Sequence, residues 1–127
     1  HTKFKGTVRG FHYQLHPFEE TKLIRCTRGS IFDIIIDLRP NSPTFKKWNG
    51  FELNSKNYRQ LYVPKGFAHG FQSLEDDSEI FYLVSEYHNS ISETGIRWND
   101  PVFKINWPLK PTKISKKDES WPNFTSS

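Results

Sequence analysis

The sequence predicts an all-β fold, a closed barrel or double-sheet jelly roll, and three observations point there. Its 8 Pro and 7 Gly punctuate 127 residues at short intervals, which breaks the chain into brief segments. Between them the apolar residues alternate with polar ones or run continuously for a few positions, the pattern of strands. No segment offers three turns of helical periodicity. Seven or eight short strands hide their edges best by closing into a barrel or stacking as two sheets.

The elements follow in order. A strand is expected over residues 7–15, before the loop at Pro17, and a second over residues 22–27, stopped by Gly29. Over residues 31–38, Phe32, Ile34, Ile36 and Leu38 share one face, while Asp33, Ile35 and Asp37 share the other. The first face is core and the second mixed. A carboxylate at Asp33 beside Ile35 calls for a partner. A turn between Pro40 and Pro43 leads into residues 45–53, and Asn54 and Asn57 turn the chain into residues 59–63. Strands over 68–74 and 78–86 flank the acidic turn at residues 75–77. Beyond Asn99, Pro101, Pro108 and Pro111 forbid long regular elements, and residues 115–119 fit one helical turn capped by Ser115. No repeat or boundary divides the chain, so residues 1–127 read as a single domain with a C-terminal tail from about residue 109.

Composition narrows the function classes. A mass of 15.0 kDa allows one domain exposing roughly 7,000 Å². Only 35% of residues are hydrophobic, but 11 Phe, 5 Tyr and 4 Trp supply the bulk of a core. Cys26 is the sole cysteine, so no intramolecular disulfide forms, and no apolar stretch approaches a signal or membrane span. A cytoplasmic location, with no membrane partner, is the expectation. With no Met and His1 first, the sequence reads as one begun inside a longer product or trimmed. Lys and Arg number 18 against 14 Asp and Glu, a net charge of +4, which favours an anionic partner. The basic residues are dispersed apart from Lys46–Lys47 and Lys116–Lys117, so a small anionic ligand such as a phosphorylated metabolite fits better than nucleic acid.

Five histidines are the first candidates for chemistry: His1, His12, His16, His69 and His88. His12 stands beside Gly10 on one strand face, where a ligand can approach closely, and reads either as a base or as a buried structural histidine. His69 follows the turn at Pro64 to Gly66. With His12, His16 and Glu20 it would compose a metal cluster, but adjacent ligands on one strand face should be two apart, not four. Tyr82 reads as a core aromatic on the Ile80, Tyr82, Val84 face of a central strand. Lys22 reads as a solvated edge charge and Asp118 as a surface cap. The patterns of nucleotide-binding glycine loops, nucleophile elbows, paired redox cysteines and zinc proteases are missing from the sequence.

Several ordered stretches carry more. Val8-Arg9-Gly10-Phe11-His12-Tyr13-Gln14, Thr21-Lys22-Leu23-Ile24-Arg25, Gly29 through Arg39, Ser42-Pro43-Thr44-Phe45, Tyr62 through Phe71, Glu93 through Pro101, Ile105-Asn106-Trp107-Pro108 and Ser115 through Asp118 run along nearly the whole chain. Together they resemble the dTDP-4-dehydrorhamnose 3,5-epimerases, nucleotide-sugar enzymes of the cupin superfamily. The resemblance implies a cupin-type double-stranded β-helix or jelly roll. It also implies epimerisation at C3 and C5 of dTDP-4-dehydro-6-deoxy-D-glucose, giving dTDP-4-dehydro-L-rhamnose for surface polysaccharide biosynthesis, without metal or other cofactor. The partners it implies are a dTDP-linked 4-keto-6-deoxy sugar and a second copy of the chain in a homodimer.

Carried residue by residue, His12 matches the base that removes the proton beside the C4 ketone, and Asp118 the carboxylate that orients it. Tyr82 matches the acid on the opposite face, and Lys22 the group that meets the enolate oxygen. Arg9, His69, Glu93 and Lys117 fall at substrate-contact positions, and Asp33 matches a pocket carboxylate. Strand parity places Arg9 opposite His12, so either a bulge intervenes or Arg9 reaches around the strand end. The chain departs from the family twice. The N-terminal segment that crosses to a partner subunit is not in this sequence, and His88 stands where a second tyrosine is common. The alternatives are a C3 epimerase or keto-isomerase of a related nucleotide sugar, a metal-dependent cupin enzyme using His12, His16 and His69, and an inactive sugar-binding module.

Overall fold

Strands occupy the segments where alternation predicted them. A computed structural model describes residues 1–85 and 91–125. The strands are β1 (Thr7–Gln14), β2 (Lys22–Arg28), β3 (Ser30–Asp37), β4 (Trp48–Asn54), β5 (Gln60–Val63), β6 (Phe67–Ser73), β7 (Glu79–Val84), β8 (Glu93–Gly95) and β9 (Lys113–Ile114), followed by the single turn α1 (Lys116–Glu119). The expected strand start at residue 45 is three residues early, because Ser42 to Lys47 form hydrogen-bonded turns and Lys46 has a φ of 70°. β8 and β9 were not foreseen: at three and two residues they are too short for alternation to register.

Two sheets result, in the jelly-roll arrangement. The larger runs β4-β3-β6-β1-β8, with β9 alongside β1, and the smaller runs β5-β2-β7. Pairings within the path are antiparallel, and β9 joins β1 in parallel through Thr7–Lys113 and Val8–Ile114. Among the described residues no helix is long and apolar enough to cross a membrane.

Both faces of β3 are buried, and they serve two separate cores. Ile31 and Ile35 pack with Ile24, Cys26, Leu53, Val63 and Phe71 between the sheets. Ile34 and Ile36 pack with Phe11, Ala68, Ile96 and Phe103 on the other side of the large sheet, where Ile105, Trp107 and Phe124 join them. The face read as mixed is therefore interior, with Asp33 fully buried in it. The stretch expected to be a tail supplies β9, α1 and Phe124, which packs on the second core. Full burial of Phe11 and five isoleucines gives each side chain about 1.5–3 kcal/mol of driving force.

In the small sheet, register assigns faces. Lys22, Ile24 and Cys26 lie opposite Val84, Tyr82 and Ile80, and this face turns inward, since Ile24 and Cys26 are core. Leu23 lies opposite Leu83 and Tyr62, and Arg25 opposite Phe81, so these residues form the outward face. Among the described residues β7 is the outer strand of its sheet rather than a central one. Tyr82 is accordingly 53% exposed, not a core aromatic.

The end of β3 is tied by a polar knot. Buried Asp37 accepts from the Arg39 guanidinium at 2.9 and 3.0 Å, Ser42 at 2.6 Å and Thr44 at 2.5 Å. Burial pushes the Asp37 carboxyl up, and these donors outweigh it and hold the group well below the usual carboxylate range. Stabilisation from a depressed carboxyl is complete above its unfolded value of about 3.9 and is lost as pH falls through the folded value. Asp37→Asn should therefore cost about 2 kcal/mol at pH 7. In urea unfolding of both proteins at pH 7 and pH 3, the gap should narrow at the lower pH.

Candidate active site

A bulge in β1 builds the site. The β1–β6 register pairs Arg9 with Phe71 and His12 with His69, and slips between them. This slip settles the parity conflict: Arg9 and His12 line the same cavity, while Phe11 drops into the second core. The bulge requires a glycine. Gly10 has a φ of +114°, and a Cβ there would stand 2.7 Å from Gly70 Cα and 2.8 Å from the His69 carbonyl oxygen.

Asp118 reaches the bulge from the other end of the chain. Ser115 caps α1 by accepting from the Asp118 N–H at 3.1 Å, which sets the carboxylate against β1. Asp118 Oδ2 accepts from the Gly10 N–H at 3.1 Å, and Oδ1 pairs with His12 Nε2 at 2.6 Å. The Trp121 indole N–H adds a longer bond of 3.4 Å to Oδ1. Burial pushes the Asp118 carboxyl up, but His12 and the Gly10 N–H outweigh it and hold it below its ordinary value. An ionised Asp118 fixes the proton of neutral His12 on Nε2 and leaves Nδ1 as the basic nitrogen. Asp118 is thus buried against the His12 ring rather than being a surface cap.

A second histidine–carboxylate pair lies alongside. His69 Nε2 is 2.5 Å from Asp33 Oδ1, so Asp33 has the partner its position called for. Its Oδ2 is buried and has no hydrogen-bond partner among the described residues. Lys22 faces the cavity from β2, the middle strand of its sheet, with 14% of its side chain exposed and Glu20 at 3.6 Å; it is not a solvated edge charge. Burial pulls the Lys22 ammonium below its ordinary value, opposed by Glu20 and Asp33. Arg9, His12, Glu20, Lys22, His69 and Tyr82, with Phe71, Val84 and Asp118, enclose about 260 Å³. The cavity joins an oriented imidazole, a phenol and two cations, the parts needed to take a proton from carbon beside a carbonyl and stabilise the charge that forms.

Other expected residues lie elsewhere. Glu93 and Lys117 do not line this cavity and are ion-paired with one another. His16, with 86% of its side chain exposed, pairs with Glu19 at 3.1 Å. The cluster of His12, His16 and His69 weighed as a metal site is therefore not assembled. Among the described residues no three His, Cys, Asp or Glu side chains converge as metal ligands. His88 lies outside the described residues. Sequence reasoning considered Glu20 only as a metal ligand and passed over Phe71, Val84 and Trp121. Glu20 had a readable signal, a carboxylate two positions before a lysine that opens a strand.

A family model described as dTDP-4-dehydrorhamnose 3,5-epimerase matches residues 1–126. The chain belongs to this family. It is 49% identical over 120 residues to the dTDP-4-dehydrorhamnose 3,5-epimerase of Sinorhizobium fredii, covering 94% of this chain and 62% of that protein. The crystal structure of the Bacillus anthracis enzyme with TDP and PPi bound is similar with a TM-score of 0.94 and 45% identity, covering 97% of this chain and 70% of that one. A 3'-monoepimerase from Streptomyces bikiniensis in complex with dTDP-quinovose is similar with a TM-score of 0.88 and 31% identity, over 97% of this chain and 63% of that one. The chain thus spans roughly two thirds of the length of these relatives, and its fold is the jelly roll of the family.

Because backbone atoms of β6 crowd Gly10, Gly10→Ala should lose at least about 3 kcal/mol. Urea unfolding checks this, and an unchanged midpoint would mean that the bulge tolerates a side chain.

Proposed function

We propose that the chain epimerises C3 and C5 of a dTDP-linked 4-keto-6-deoxyhexose, giving dTDP-4-dehydro-L-rhamnose in the cytoplasm. The observation that carries this reading is the His12–Asp118 pair lining one cavity with Lys22 and Tyr82 in a chain of this family. His12 Nδ1 takes a proton from the carbon beside the C4 ketone, and the C–H electrons move into the enolate. Asp118 stabilises the imidazolium that results. The ammonium of Lys22 and the guanidinium of Arg9 supply positive charge for the enolate oxygen and the diphosphate. Tyr82 then gives a proton to the carbon from the face opposite His12, which inverts the centre. The chemistry needs no metal or other cofactor, because the imidazole supplies the base and the cations the charge. Glu93, Lys117 and His69 complete the contacts to the sugar nucleotide in this reading, with Asp33 holding His69.

The similarity to a 3'-monoepimerase favours one second reading, exchange at C3 alone. Incubation with the 4-keto sugar nucleotide in D₂O separates the two. Deuterium at both carbons is expected; deuterium at C3 only would establish the second reading, and tight binding with none at either would leave a binding module. His12→Ala should abolish exchange at both carbons. Tyr82→Phe should leave exchange measurable while net inversion collapses, since the enolate still forms and is reprotonated from the face it left. Equal loss of exchange and inversion would contradict the acid role.

The same reading includes a homodimer. Tyr62, Phe81 and Leu83 on the outward face of the small sheet are 61%, 55% and 57% exposed, a contiguous apolar area of the kind that marks an interface. Sedimentation equilibrium should give about twice the 15.0 kDa chain mass at tens of micromolar, and Leu83→Glu should shift the protein to monomer.

A further inference from the structure

The geometry points to a further positioning residue: we propose that Glu20 holds the Lys22 ammonium charged and in place at the cavity wall. The inference rests on the proposed enolate chemistry for its consequence, though not for its structural basis. Glu20 Oε1 lies 3.6 Å from Lys22 Nζ, and both side chains are nearly buried, at 15% and 14% exposure. Both also line the cavity, so the pair sits beside the place where substrate charge would develop. Among the described residues, Glu20 is the carboxylate at ion-pair distance from Lys22.

The other charged groups at or near the cavity have partners of their own. His12 on β1 is bonded to Asp118 on α1, and His69 on β6 to Asp33 on β3. Arg9 on β1 donates to Thr2 at 3.2 Å, and Glu93 on β8 is paired with Lys117. Tyr82 on β7 presents a phenol. Asp33 and Glu93 act on Lys22 only through space, while burial pulls its ammonium down and Glu20 is the foremost opposing influence.

The arrangement solves a specific problem. A lysine that meets an enolate must be desolvated to act strongly, yet desolvation favours its neutral form, which carries no charge to offer. A carboxylate on the flank of the ammonium restores the charged form and leaves the remaining N–H donors for the substrate. Glu20 therefore touches no reacting atom and acts through Lys22.

The test reads Lys22 directly. In protein labelled with ¹³C and ¹⁵N at lysine, the Lys22 side-chain resonance, assigned by its loss in Lys22→Arg, is titrated in wild type and in Glu20→Gln. The variant should titrate about one pH unit lower, a tenfold change in acidity. In D₂O exchange assays its activity should fall at correspondingly lower pH on the alkaline side, with kcat reduced and KM within about twofold of wild type. In a Lys22→Arg background, where the cation does not titrate, Glu20→Gln should leave the alkaline limb unmoved. If Glu20→Gln unfolds by circular dichroism, Glu20→Asp, which keeps the charge on a shorter arm, should show a smaller shift in the same direction. An unchanged Lys22 titration would overturn the inference, as would a shifted titration with an unmoved alkaline limb. The titration needs no substrate, so it decides the Glu20–Lys22 coupling even if wild type exchanges no proton and the epimerase reading fails.

Discussion

Asp118 accepts from the Gly10 N–H with one oxygen and faces His12 Nε2 with the other, across 108 and 106 residues of sequence. Both partners belong to the same bulge in β1, so one carboxylate fixes the backbone at the slip and the ring that the slip presents. The arrangement has three structural conditions. Gly10 must lack a side chain because β6 passes within 2.8 Å of where its Cβ would be. Ser115 must cap α1 to aim Asp118. The chain beyond Asn99 must return to β1, which β9 accomplishes by pairing with Thr7 and Val8. A buried carboxylate that lost either donor would be left partly unsatisfied, at a cost of about 1–3 kcal/mol, more because it is charged. Stability of the carboxy-terminal stretch and orientation of the His12 ring are thus the same interaction.

The division of the interior into two cores explains how a chain with few aliphatics positions a polar site. β3 is buried on both faces. One face helps close the space between the sheets, where Asp33 and His69 are buried and paired. The other packs against aromatic residues from the carboxy-terminal third. With both sides of the large sheet occupied, one exposed apolar cluster stands on the outer face of the small sheet, at Tyr62, Phe81 and Leu83. The inner face of that same sheet carries Lys22 and Tyr82, so whatever covers its outer face also steadies two residues of the cavity.

Much of this was legible in the sequence, for reasons that differ by element. Period-two alternation and short continuous apolar runs located β1 to β7, the runs marking strands such as β3 that are buried on both faces, and Ser115 announced α1 because a serine before a short charged segment caps a helix. Asp33 was identifiable as needing a partner because a carboxylate among isoleucines cannot be buried alone. The bulge at Gly10 was visible only as a contradiction, since alternation put Arg9 and His12 on opposite faces. β8 and β9 are too short to carry a period. The position of β7 at the sheet margin depends on long-range pairing, which local pattern does not encode, so Tyr82 looked more central than it is. The roles given to His12, Tyr82, Lys22 and Asp118 came from family resemblance; alternation and spacing alone left each with a bland reading. Glu20 was legible only as a carboxylate two positions before Lys22, and the structure supplied the distance between them and the burial of both.

In the proposed function Asp118 holds His12 with its proton on Nε2, leaving Nδ1 as the base. Nitrogen-15 NMR of histidine-labelled protein, recorded where the ring is neutral, reads this tautomer directly. The His12 resonances, assigned by their loss in His12→Ala, should show a protonated Nε2 and an unprotonated Nδ1 in wild type, and a mixture of tautomers in Asp118→Asn. A wild-type ring protonated on Nδ1, or one whose tautomer ignores the loss of the Asp118 charge, would contradict the account.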